Sequence, residues 1–238
     1  MKGEILILRN VPRENPGLLE TVLKEKDLDY VIFDTDCLTS IQPLNTYKAI
    51  IVLGGPDSAN DSGPKIQNEL ALIRDATIAN IPFLGICLGL QTLVKALGGN
   101  VIKCKTSEVG FRDLHGEFFK VRLTPEGRND KLFNNLPDGF TVFQLHGETV
   151  EITHEMTLLA TGDYCKNQIV RYGQTAYGIQ SHFELTSELL ESWINEDSDL
   201  QKLNSDQLRS DFESIKSDYN RVGRQLLVNF LTLAGIIK

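Results

Sequence analysis

A thiol nucleophile is built from a cysteine, a histidine that moves its proton and a carboxylate that orients the histidine. The chain offers all three. Residues 83–91 read FLGICLGLQ: a short apolar run, Gly85, Cys87, Gly89, then a helical pattern. That order puts Cys87 at a sharp turn between a buried strand and a helix. Such a turn exposes the thiol and aims the first helix amides at it, which favours thiolate. Downstream, GIQSHFE supplies His182 and Glu184. Residues two apart in a strand face the same side, so both can point into one crevice. There Glu184 would orient the imidazole and His182 would exchange a proton with Cys87. A third segment, IIVLGGP, ends in Gly54, Gly55 and Pro56. Its loop should open into the same crevice, with the amides of Gly55 and Leu88 aimed at one oxyanion. Each feature also has a plainer reading. Cys87 can be a core residue, His182 and Glu184 a satisfied core or surface pair, and the GGP an ordinary turn. Their joint order, all at strand ends, is what favours chemistry.

Crevices of this kind form at the C-terminal ends of strands in an open parallel sheet, and the periodicity predicts one. EILILRN (4–10), YVIFDT (30–35), KAIIVLGGP (48–56) and IPFLGI (81–86) read as strands. Residues 15–29, 62–80 and 88–99 between and after them carry helical spacing. Pro64 lies near the start of the second helix, and Gly98 and Gly99 close the third. The fold class is therefore α/β, an open and mostly parallel sheet flanked by helices. After residue 100 the runs VIKC, FFKVRL, FTVFQLHGETVEI, MTLLATGD, NQIVRY and TAYGIQSHF are split by turn residues. They predict antiparallel additions to the sheet and a return strand carrying His182. Residues 187–196 read as a helix. Leu208, Phe212, Ile215, Tyr219, Val222, Leu226 and Phe230 recur near the helical period. Residues 198–238 are thus expected as one long or two shorter amphipathic helices packed on the rest. With no repeat or clear linker, one domain is expected, a core of 1–196 with a helical extension of 197–238.

Composition narrows the function. The 238 residues carry a formal net charge of −8, which disfavours a nucleic-acid partner, since that needs a basic face. No apolar run approaches the ~20 residues that span a bilayer, and the apolar stretch near the N-terminus is too short for a signal-peptide core. No membrane partner and a cytoplasmic location are expected. Cys37, Cys104 and Cys165 read as buried reduced thiols. No CxxC pair and no His/Cys cluster at metal spacing is present, so neither metal nor cofactor is expected.

GICLGLQ, with LGGPDS upstream and GIQSHFE downstream, resembles the triad-type class I glutamine amidotransferases. The resemblance is nearest to the amidotransferase domain of GMP synthetases and their stand-alone relatives, with a flavodoxin-like fold, and covers roughly residues 1–195. It implies that Cys87 attacks the glutamine side-chain amide to form a γ-glutamyl thioester. His182 would protonate departing ammonia and then activate water, with Glu184 orienting it. The Gly55 and Leu88 amides would hold the oxyanion. Gly54, Gln91 and the backbone near His146 and Gly147 would bind substrate, and EVGF (108–111) would line the pocket. Phe183 stands where the family usually has proline, Ser181 where it usually has an aromatic residue, and Leu145 where a serine is common. The last change makes a γ-glutamyl compound other than free glutamine more plausible. GGPDS superficially resembles the SGGxDS phosphate loop of an ATP-pyrophosphatase module, but Pro56 occupies the variable slot. The ammonia acceptor would then be a separate synthetase chain, or water in a stand-alone hydrolase. The alternatives are a γ-glutamyl peptide or amide hydrolase with the same triad, and a non-catalytic homologue kept for binding.

Overall fold

The computed structural model describes residues 4–238, apart from the side chains of residues 39 and 40. The first half alternates as its periodicity predicts: β1 (Ile5–Arg9), α1 (Leu18–Glu25), β2 (Tyr30–Asp34), β3 (Ala49–Val52), α2 (Pro64–Ile78), β4 (Phe83–Ile86) and α3 (Leu88–Ala96). The second half adds β5 (Asn100–Gly110), β6 (Lys120–Leu123), α4 (Pro125–Arg128), β7 (Gly139–Thr141), β8 (Gln144–Glu151), β9 (Met156–Gly162), β10 (Ile169–Tyr172), β11 (Ala176–Ile179), α5 (Ser187–Glu196) and α6 (Ser205–Leu233).

Nine of these strands form one sheet in the order β2-β1-β3-β4-β11-β10-β9-β6-β7. It is parallel from β2 through β11 and antiparallel from β11 to β7. The central strands are apolar throughout because both faces are covered. Ile5 and Ile7 of β1 face the layer that holds α1 and α6, while Leu6 and Leu8 face α2 and α3. No helix among the described residues is long and apolar enough to cross a membrane.

Three expectations change. FTVFQLHGETVEI is two strands, not one: β7 ends the main sheet, and β8 leaves it to pair with β5 in a separate two-stranded ribbon. The VIKC run belongs to that ribbon and not to the main sheet. The break falls at Val142 and Phe143, where Phe143 instead bridges His182. Consequently His182 lies in an isolated bridge just beyond β11, not inside a strand. Cys37 is exposed and Cys104 only half-buried, while Cys165 is buried as expected.

The C-terminal segment is one helix of 29 residues, α6. Asn204 caps it by accepting hydrogen bonds from the amides of Asp206 and Gln207. Phe212, Tyr219, Val222, Leu226 and Phe230 are buried. A fully buried side chain of that size contributes about 1.5–3 kcal/mol, so α6 is anchored along its length.

Candidate active site

Strand register brings the predicted residues together. β4 and β11 are parallel neighbours with Ile86 opposite Ile179, so the chain leaves both strands at the same end of the sheet. The Cys87 amide donates to Ile179 O at 2.8 Å, tying the two exits. Cys87 has φ +52° and ψ −104° at the N-terminus of α3. A non-glycine residue there costs on the order of 1–3 kcal/mol, and tight surroundings hold it. A Cβ on Gly85 would fall 2.1 Å from Gly89 O, and one on Gly89 would fall 2.4 Å from Val52 O. Only glycines let α3 start this close to β3 and β4.

Cys87 and His182 line a cavity of about 460 Å³. The loop after β3 forms its near wall. A Cβ on Gly54 would lie 3.0 Å from His182 Cε1 and 3.6 Å from Cys87 Cβ, and one on Gly55 would lie 3.1 Å from Leu88 Cδ2. Gly54 and Gly55 therefore sit against Cys87, as the motif order predicts.

His182 and Glu184 are buried and paired, Nδ1 to Oε1 at 2.6 Å. The two-residue spacing does bring them together, but through an extended segment fixed from outside and not through sheet alternation. The Leu18 amide donates to Glu184 O at 2.8 Å. Tyr219 Oη of α6 donates to His182 O at 2.8 Å. The amide of Phe183 donates to Glu184 Oε2 at 2.8 Å, a bond that a proline at this position could not make. Trp193 of α5 packs edge-on to the imidazole, with ring centroids 4.7 Å apart. Burial alone would push the imidazole down. The Glu184 carboxylate and the charge and hydrogen bond of the Cys87 sulfur outweigh it and hold His182 well above its usual range.

The opposite wall comes from the β5–β8 ribbon and α3. Leu145, His146, Gly147 and Glu148 line it, with Gln91. Gln91 Nε2 donates to Glu148 O at 3.1 Å, so its amide also braces the loop. The His146 side chain turns away from the cavity: Nε2 meets Glu108 Oε2 at 2.9 Å and Nδ1 meets Glu148 O at 3.0 Å. Gln168 Nε2 donates to the same Glu108 oxygen at 3.1 Å. EVGF therefore stands behind the cavity instead of in its wall. Glu108 holds His146, and Phe111 packs between Phe143 and Phe212. Ligand atoms of Glu108, His146 and Cys165 lie within 4.8 Å of one another, a grouping of metal-ligating types that sequence spacing does not reveal. Each already has a hydrogen-bond partner, Thr149 in the case of Cys165.

Four residues escaped sequence reasoning. Gln180 is fully buried and points Nε2 toward Cys87 Sγ at 3.8 Å. Its one signal is its place two residues before His182. Trp193 and Tyr219 carried only helical periodicity. Glu14, in the loop after β1, is buried in the cavity wall and had no motif. Together the site has a thiol at a helix N-terminus, an imidazole held by a carboxylate, and amides of a close glycine loop. Those are the parts needed for nucleophilic attack on a carbonyl.

A family model described as glutamine amidotransferase class-I matches residues 17–198. The glutamine amidotransferase-like protein YfeJ of Salmonella typhimurium is 31% identical over 153 residues, 62% of this chain and 61% of that one. One component of a glutamine-hydrolyzing GMP synthase, the product of a separate chain in Methanococcus maripaludis, is 31% identical over 141 residues, 58% of this chain and 65% of that one. The alignments thus span somewhat less than two thirds of these curated relatives. The crystal structure of a glutamine amidotransferase from Thermotoga maritima superposes with a TM-score of 0.86 at 29% identity, covering 98% of this chain and 99% of that one.

Proposed function

Because the chain belongs to the glutamine amidotransferase class-I family, we propose that it hydrolyses a γ-glutamyl amide, glutamine being the simplest, through a thioester on Cys87. The observation that carries this is the meeting of Cys87 with the His182–Glu184 pair at the ends of two adjacent parallel strands, facing one cavity. Cys87 sulfur bonds to the γ-carbon, and the Gly55 and Leu88 amides receive the oxyanion. The C–N bond then breaks, and His182 gives its proton to the departing nitrogen, releasing ammonia. Water, deprotonated by His182, attacks the thioester and frees glutamate while the proton returns to the thiol. Glu184 holds the imidazole in the tautomer this needs. Gly54, Gln91 and the backbone at His146 and Gly147 bind the glutamyl part.

Glutamate release from glutamine by the purified chain tests this, beside Cys87→Ala. Release that disappears in the variant supports the reading, and release that persists overturns it. If neither releases glutamate, alkylation by a glutamine analogue decides: labelling of Cys87 keeps the site competent, and no labelling removes the proposal.

A second reading makes the chain an ammonia-supplying partner of a separate synthetase chain. The similarity to the M. maripaludis GMP synthase component favours it. Stimulation of glutaminase activity by an added synthetase chain is its test.

A further inference from the structure

The chemistry above leaves Glu14 without a task, and its setting is unusual. Its carboxyl is buried to 4% exposure in the cavity wall. No hydrogen bond from the described residues reaches it. The nearest cation, Arg13 Nε, is 3.8 Å from Oε1, beyond hydrogen-bond range. Arg13 is committed elsewhere, its terminal nitrogens donating to Glu196 O at 2.9 Å and Asp197 Oδ2 at 2.7 Å. Lys65, the cation nearest the GGP loop, is likewise spent on Asp57 at 2.6 Å. A buried carboxyl aimed at a cavity without a donor is costly unless something from the cavity supplies one.

Position says what that partner is. The same point above Gly54 lies 3.0 Å from His182 Cε1 and 3.2 Å from Glu14 Oε2, so Glu14 flanks the histidine. The leaving nitrogen must stand beside His182 to take its proton, while the glutamyl part occupies the far wall with Gln91 and Gly147. Glu14 therefore borders the leaving-group side, and Glu196 adds a second carboxylate at that mouth.

We propose that Glu14 selects the departing amine, and that the preferred substrate is the γ-glutamyl amide of a short diamine whose second nitrogen is a cation bound by Glu14. The proposal rests on Cys87 being the nucleophile. A cationic amine gives Glu14 a charge-assisted hydrogen bond. A neutral one leaves it unpartnered, and a carboxylate-bearing one, as in a γ-glutamyl peptide, is repelled. The bonds made and broken are those of glutamine hydrolysis, with the free diamine leaving in place of ammonia.

The test compares kcat/KM for γ-glutamyl amides of 1,4-diaminobutane, butylamine and 4-aminobutyrate, cationic, neutral and anionic in turn. The expected order is cation, neutral, anion, with the first two about tenfold apart. Glu14→Gln should bring that ratio to about twofold or less, and Glu14→Asp should restore part of it. Because the ratio is taken within one variant, loss of folded protein cancels. Burial first, with His182, Glu184, Arg13 and Asp197 facing the group and partly offsetting one another, pushes Glu14 up to about 7. The cation preference should therefore shrink as pH falls through about 7 and Glu14 becomes neutral, while ionisations common to both substrates cancel. A wild-type ratio near one, or a ratio unchanged in Glu14→Gln, overturns the inference. So does turnover of glutamine without turnover of the diamine amide. Absence of Cys87-dependent turnover of every amide, glutamine included, removes the underlying reading as well.

Discussion

Two cysteine–histidine–glutamate sets stand near the cavity, and they make an instructive pair. One is Cys87, His182 and Glu184; the other is Cys104, His146 and Glu108. In both, the imidazole and carboxylate are buried and in contact, at 2.6 Å and 2.9 Å. In the second, Cys104 Sγ even reaches His146 Nδ1 at 3.6 Å. The difference lies in the thiol and in what occupies the second ring nitrogen. His146 has Nε2 on Glu108 and Nδ1 against Glu148 O, so neither nitrogen is left for a substrate. Cys104 sits in the middle of β5 with no helix amides near it. Burial, then Cys165, Glu108, Glu148 and Cys87, push its thiol up to about 12. Cys87 instead caps α3 and opens to the cavity. Residue types and distances are thus nearly shared, while access and electrostatic setting are not.

The sharpest way to break this contrast is to remove each thiol. Cys87→Ser should lower glutamate release by at least ~10³-fold, whereas Cys104→Ser should leave kcat within about threefold. Equal losses would mean that both sets take part in the reaction.

The carboxylates come next. Glu184→Gln should cost ~10²–10⁴-fold in kcat, while Glu108→Gln should act mainly on KM by loosening the ribbon that carries His146 and Gly147. Glu184 raises the His182 titration, so its removal should lower that titration toward the ordinary histidine range, as followed by NMR against pH. A His182 titration unmoved in Glu184→Gln would deny the carboxylate its role.

Alkylation separates the thiols directly. At neutral pH iodoacetamide should modify Cys87 at least ~10-fold faster than Cys104 or Cys165, because the thiolate is the reactive form and burial raises both of the latter. Peptide mapping over time reads the order. Comparable rates at Cys87 and Cys104 would erase the electrostatic distinction.

The smallest effect expected is at the extension. Tyr219→Phe removes one hydrogen bond to the backbone beneath His182. It should cost about 1 kcal/mol in urea unfolding and a few-fold in kcat, with no counterpart at His146. A kcat unchanged alongside lost stability would make α6 a prop for the fold alone.

The sequence by itself determined the alternating strands and helices through α3, the turn at Cys87 and the neighbourhood of His182 and Glu184. These are local matters: apolar periodicity, two glycines flanking a cysteine and a two-residue spacing act within a few residues along the chain. Only the tertiary structure decided which strands adjoin, and the whole site hangs on that. The Ile86–Ile179 register carries Cys87 to His182, and the split at Phe143 sends β8 into its own ribbon. The same long-range packing seats Trp193 and Tyr219 around the imidazole, closes His146 onto Glu108, and buries Glu14 without a partner. Contacts of this kind join residues far apart in the chain. Their energies depend on burial and on neighbours that no local pattern encodes.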